Sequence, residues 1–132
     1  MEGELVMSEK PERLIQEEIT KYLKTLKEGK LIRNNGTGVM IRGRLMKQSQ
    51  TLPDILFLYK GMAFYFEIKN RSEHEFIKKH LERLREGSFN NENRKLNIYR
   101  NQIIIIEEIN STGNHASFVS SVDDVKTALH DS

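Results

Sequence analysis

Three features of this 132-residue chain predict an α/β fold with a mixed β-sheet flanked by α-helices. Apolar residues recur at helical spacing in an early block and again in two later ones. A pair of apolar extended runs, "LPDILFLY" and "MAFYFEIKN", meets at Lys60-Gly61, the chemistry of a tight hairpin turn. Another short extended run, "HASFVS", returns between the later helical blocks, so strands and helices interleave.

The elements follow in order. Ser8 is expected to cap a first helix with Pro11 in its first turn. Ile15, Ile19, Tyr22, Leu23 and Leu26 form its stripe, and Gly29 is expected to end it. Short extended pieces follow at about Leu31–Asn34, Gly38–Ile41 and Arg44–Lys47, and then the hairpin. Ser72 and Glu75 read as a capping box opening a second helix, striped by Phe76, Ile77, His80, Leu81 and Leu84 and ended by Gly87. The isoleucine run 103–106 favours a strand by propensity. Tyr99, Gln102, Ile103, Ile106 and Ile109 nevertheless share one helical face, so Leu96–Ser111 is read as a helix. Ser121 caps a last helix through Leu129, with Asp123 and Asp124 in its first turn. The length fits one domain, residues 1–132, with one modest core.

Composition narrows the function classes. The absence of cysteine excludes disulfides, thiolate zinc sites and a cysteine nucleophile, and suits a cytosolic protein. No apolar run is long enough to span a bilayer, so no membrane partner is expected, and the N-terminus lacks the pattern of a secretory signal. Net charge is +2, yet Gly29 to Pro53 carries Lys30, Arg33, Arg42, Arg44 and Lys47 with no acidic residue, and Arg94, Lys95 and Arg100 make a second basic stretch. Such bias marks either a phosphate-facing surface or a solvated face balanced by acidic helices. The histidines show no zinc spacing, the serines no nucleophile elbow, and "NNGTG" no lysine of a phosphate loop.

The hairpin carries the sharpest signal. A two-residue turn at Lys60-Gly61 sets Tyr59 opposite Met62, Phe57 opposite Phe64 and Asp54 opposite Glu67. Their Cβ atoms would then lie about 4.5–5.5 Å apart. Lys69, two residues on, projects from the same face, and Pro53 lacks the N–H to continue the ladder, so a cleft opens there. Facing carboxylates repel unless a cation joins them. Mg²⁺ is held by one or two carboxylates with waters and phosphate oxygens around it, the chemistry of phosphodiester hydrolysis. The plain alternative is a pair of polar residues at a strand end. On helical spacing, Glu12 lies on the inward face, three before Ile15 and seven before Ile19, as a candidate further carboxylate, with Glu18 on the same face as its rival.

Pro53-Asp54 and Glu67-Ile68-Lys69 resemble the PD-(D/E)XK nuclease motif, and the flanks resemble its stand-alone VRR-Nuc branch. Glu12, Ile15, Gln16, Ile19 and Leu23 in "ERLIQEEITKYL", the basic "LIRNNGTGVMIRGR", and Gln102, Gly113, Phe118 and Val125 match the family pattern across nearly the whole chain. Two departures stand out: Thr51-Leu52 replaces the usual glycine before the motif, and about 73–95 is a helical insertion. The resemblance implies a restriction-endonuclease-like core and a Mg²⁺- or Mn²⁺-dependent endonuclease acting on DNA, duplex or branched, in the cytoplasm of a bacterial or phage-infected cell. It implies that Asp54, Glu67 and the Ile68 carbonyl hold the ion, with Glu12 completing the site. Lys69 would serve the attacking water and Gln102 would brace the site. Arg33, Arg42, Arg44, Lys47 and Arg100 would contact nucleic acid. Relatives that cut junctions act as homodimers, since two strands need two active sites. A silent nuclease-like binding module and a sequence-specific restriction-type nuclease are the rival readings.

Overall fold

The computed structural model describes residues 9–34, 39–41, 44–46 and 52–130, with the short strands at 39–41 and 44–46 described by backbone alone. The expected hairpin sets the architecture. Strands β4 (Ile55–Tyr59) and β5 (Met62–Ile68) are antiparallel, with Tyr59 opposite Met62, Phe57 opposite Phe64 and Ile55 opposite Phe66. Lys60 (φ 52°) and Gly61 (φ 80°) both take the left-handed conformation that suits a two-residue turn to the strand twist. Strand β1 (Gly29–Asn34) pairs antiparallel with β4, with a register shift between Leu31 and Arg33. Strand β6 (His115–Val119) pairs parallel with β5 after a helical crossover. The result is a mixed four-stranded sheet in the order β1-β4-β5-β6. Strands β2 (Val39–Ile41) and β3 (Arg44–Met46) form a separate two-stranded hairpin.

Helices cover the sheet because its alternation sends apolar side chains both ways. On one face, Phe57, Phe64, Phe66 and Ile68 pack with Ile15, Ile19 and Leu23 of α1 (Glu12–Leu23) and Val125 and Leu129 of α5 (Val122–His130). On the other, Ile77 of α2 (Arg71–Lys79), Leu84 of α3 (Leu81–Glu86) and Tyr99 and Ile103 of α4 (Arg94–Ser111) close a second core that Phe118 joins from β6. The insertion is therefore committed to packing against α4, and a chain expected to hold one core holds two.

Several local expectations shift for identifiable reasons. Helix α1 starts after Pro11, whose extended conformation makes it the N-cap; Ser8 lies outside the described residues. It ends at Leu23, well before Gly29, which opens β1 instead. A Cβ on Gly29 would stand 2.0 Å from Phe57 Cζ, so the glycine serves a close approach and not a helix stop. The second helix is capped by Asn70, whose side chain accepts from Glu73 N at 2.8 Å while Glu73 reaches back to the Asn70 N–H. Ser72 bonds to Glu9 instead of capping. The expected single stripe through Gly87 breaks at His80 into α2 and α3, and left-handed Gly87 (φ 78°) ends α3. The isoleucine run is helical: Asn93 caps α4 by accepting from Leu96 N, and Tyr99, Ile103 and Ile106 are buried on one side. Ser121 caps α5 as expected, accepting from Asp124 N.

Candidate metal-binding carboxylate site

The site lies where the β4–β5 ladder ends. Its last rung is Ile55–Phe66, so Asp54 stands one step beyond, with the buried Pro53 before it. Pro53 offers no N–H, and its carbonyl accepts from Arg33 Nε at 3.2 Å. Asp54 Oδ2 accepts the Ile68 N–H at 2.9 Å, so a carboxylate takes over where a backbone carbonyl would have continued the ladder. That bond fixes the Asp54 carboxylate beside Glu67, and the two side chains share a hydrogen bond. Glu67 and Lys69 are 7% and 5% exposed. A carboxyl and an ammonium buried this deeply require partners.

The surrounding elements supply them. From α4, Gln102 donates through Nε2 to Glu67 Oε2 at 3.2 Å. From the N-terminus of α1, Glu12 reaches over the end of the sheet, hydrogen-bonds to Glu73 and lies within the fields of Lys69 and Asp54. From α2, Glu73 accepts the Tyr99 hydroxyl at 2.7 Å. Lys69 Nζ lies 5.0 Å from the centre of the Tyr99 ring.

Electrostatics show what this crowding costs. Burial, then the charge and hydrogen bond of Asp54, push Glu67 up to about 9 against the opposing pull of Lys69. Burial and the bond to Glu73 push Glu12 up to about 8. Burial also acts to raise Glu73, but bonds from Glu12 and Tyr99 together with the Lys69 charge bring it down to about 2. Burial and the neighbouring carboxylates thus favour protons on Glu67 and Glu12, while Glu73 is held in its charged form. An ion of charge +2 reverses the penalty that keeps those protons in place.

The donor set fits Mg²⁺ or Mn²⁺. Oxygen ligands suit these hard cations, and one or two carboxylates suffice for Mg²⁺. Gln102 Oε1 is buried without a hydrogen-bond donor among the described residues, and a water beside the carboxylates would satisfy it. Among the described residues, however, no three acidic or histidine side chains already stand in the close arrangement of a finished ion cage. Asp54 and Glu67 are the pair to which an ion would be drawn, with Glu12 adjacent.

The residues singled out from sequence thus separate clearly. Asp54, Glu67, Lys69, Glu12 and Gln102 come together, and the Ile68 backbone borders them through its bond to Asp54. Glu18, the rival of Glu12, is ion-paired with Lys10 at 3.0 Å. Two expected nucleic-acid contacts have structural partners: Arg33 anchors the Pro53 carbonyl, and Arg100 Nε donates to the Arg85 carbonyl at 3.1 Å, bracing α3 against α4. Arg42 and Lys47 lie outside the described residues, as does the side chain of Arg44. Sequence reasoning missed Glu73 and Tyr99. The signals were present: Glu73 completes a capping box opened by the residue after Lys69, and Tyr99 lies one helical turn before Gln102.

A second polar cluster does not rival this one. His74 Nδ1 is 3.0 Å from Ser120 Oγ, and Ser120 donates to Asp124 Oδ2 at 3.1 Å. Asp124 also accepts the Ser120 backbone N–H at 2.9 Å, so the cluster ties the end of β6 to the first turn of α5. No helix among the described residues is long and apolar enough to cross a membrane. Comparison with protein-family models, with curated proteins and with solved structures returns no match.

Proposed function

We propose that the protein is a Mg²⁺- or Mn²⁺-dependent DNA endonuclease with a restriction-endonuclease-like core, selective for DNA structure, such as branched or flapped duplexes, over sequence. The observation that carries this reading is the convergence of Asp54, Glu67 and Lys69 on one sheet face, with Glu12 and Gln102 delivered from two different helices. Chain-distant residues of the types phosphodiester hydrolysis needs meet at one point.

Asp54 and Glu67 would hold the ion, the Ile68 N–H keeps Asp54 oriented, and Gln102 keeps Glu67 oriented. When bound, the ion offsets charge developing on the phosphate and acidifies the attacking water. Lys69, desolvated beside the carboxylates, supplies a positive charge for the pentavalent phosphorus and a donor to align that water. Glu12 and Glu73 are placed to move a proton between them at the edge of the site. A sequence-specific nuclease would need an element to read base edges. Among the described residues the insertion is one candidate, and its apolar residues Ile77 and Leu84 are used in the second core. That favours structure selectivity. A homodimer accords with cutting two strands and forms part of the proposal.

The test is cleavage of a panel of linear, flapped and four-way DNAs. The wild type should nick at least one of them with Mg²⁺ or Mn²⁺ and stop on chelation. Asp54→Asn should lose activity by about 10²-fold or more while melting no lower than the wild type, because one ligand oxygen is replaced by an amide and a charge beside Glu67 is removed. A wild type inert on every substrate and metal, indistinguishable from Asp54→Asn, would remove the enzyme reading in favour of a nucleic-acid- or protein-binding module.

A further inference from the structure

Lys69 is nearly inaccessible, and among the described residues no direct ion pair fixes its ammonium. What fixes it is a circuit of contacts that leaves the chain at Lys69 and returns to it. Asn70, its neighbour, caps α2 and is bonded by Glu73 in return. Glu73 Oε2 accepts the Tyr99 hydroxyl at 2.7 Å, and the Tyr99 ring lies under Lys69 Nζ at 5.0 Å. Tyr99 itself is 3% exposed, held among Ile77, Leu84 and Ile103 with Phe76 tilted against its ring at 6.1 Å. Lys95 closes the outer side, 3.8 Å from Glu73 and 5.9 Å from the same ring.

We infer that Tyr99 and Glu73 are positioning residues for Lys69, and that the insertion exists in part to carry Glu73 into this circuit. The inference rests on the nuclease reading for its kinetic consequence but not for its geometry. A lysine has a long flexible stem and a point charge with no directional fork, so its placement must come from what it lies against. An aromatic face attracts an ammonium without neutralising it, whereas a carboxylate at contact distance would compete with the phosphate for it. The ring therefore holds Lys69 at its post and leaves its charge for the substrate. The Tyr99 hydroxyl fixes the ring, and Glu73, locked into a helix start, fixes the hydroxyl.

Tyr99→Phe keeps the ring and loses the bond to Glu73; Tyr99→Leu loses the ring. Two readouts separate the geometry from the activity. In carbon–proton NMR spectra, the Lys69 ε-methylene protons should be shifted upfield by the ring in the wild type and in Tyr99→Phe, and return to the ordinary lysine position in Tyr99→Leu. In steady-state cleavage, Tyr99→Leu should lower kcat by about tenfold to 10²-fold, the effect of a misplaced group, with KM for DNA and Mn²⁺ affinity within about twofold. Tyr99→Phe, which keeps the ring but loses its tether to Glu73, should lower kcat by an intermediate factor of about three to ten, and an unchanged kcat there removes Glu73 from the positioning role. If Tyr99→Leu lacks a cooperative melt, Tyr99→Met, unbranched and adaptable in a core, takes its place. An unshifted Lys69 signal in the wild type overturns the inference, as does an unchanged kcat without the ring. A wild type that cuts no DNA counts against the nuclease reading alone, and the NMR comparison then decides the positioning claim.

Discussion

Replacing Lys69 by Ala or Met is expected to lower kcat by about 10²–10³-fold, the usual cost of removing one preorganised charge from a phosphoryl or acyl transition state. The same substitutions should leave Mn²⁺ affinity unchanged or higher. Lys69 lies close enough to oppose the protonation of Glu12 and Glu67, so its positive charge also opposes a cation at those carboxylates. Its removal lifts that repulsion. Isothermal calorimetry and single-turnover cleavage on one preparation give both quantities. A loss of metal binding that parallels the loss of kcat would make Lys69 a structural support of the carboxylates and not the group that meets the phosphate. Lys69→Met retains most of the buried stem and so guards against a collapse of the pocket that Lys69→Ala could cause.

Glu67→Gln is expected to stabilise the metal-free protein while abolishing ion uptake. Glu67 is raised from 4.5 to about 9, chiefly by burial and the neighbouring Asp54 charge. A group whose pKa is higher in the folded state than in the unfolded chain gives its full stability below the unfolded value. It loses that stability as pH rises through the folded value. The metal-free wild type should therefore weaken steadily between pH 4.5 and about 9, with Glu12, raised to about 8, acting in the same direction. Glu73, held down to about 2, works oppositely but only in acid: its contribution is present above pH 4.5 and is lost as pH falls through about 2. Glutamine has the volume of glutamate and never ionises. At about 1.36 kcal/mol per unit, the advantage of Glu67→Gln near pH 8 is on the order of 2–5 kcal/mol, a rise in Tm of several degrees at least. It should vanish below pH 4.5. Saturating Mg²⁺ should restore the wild type at alkaline pH, with release of protons, and leave Glu67→Gln unmoved. Melting curves for the two proteins that run parallel across this range would show that Glu67 carries no buried charge conflict.

These two expectations come from the part of the molecule that the sequence made most legible. The Lys60-Gly61 turn has one register, and strand alternation then places Asp54, Glu67 and Lys69 without further information. The helical reading of the isoleucine run was equally accessible, because Tyr99, Ile103 and Ile106 recur at a period no strand has. Caps and breaks were less so. Asn70 and Ser72 both stand three residues before a glutamate, and tertiary contact decided between them when Glu9 took Ser72. Gly29 looked like a helix stop because its true reason, the Phe57 ring in the next strand but two, is a long-range contact. Arg33 and Arg100 illustrate the same limit. That each also donates through Nε to a backbone carbonyl, of Pro53 or Arg85, depends on contacts between elements that are distant in the chain or set by the fold. Glu73 and Tyr99 were hidden for a complementary reason: Tyr99 was already explained as part of a helical face, Glu73 drew no reading of its own, and their 2.7 Å bond is what joins them to the site.

Anomalous diffraction from crystals soaked in Mn²⁺ tests most directly whether Asp54 and Glu67 form a cation site. A peak is expected between their carboxylates, at coordination distance from both, and absent in crystals of Glu67→Gln. Well-ordered crystals with no density there, or with manganese bound only elsewhere, would contradict it.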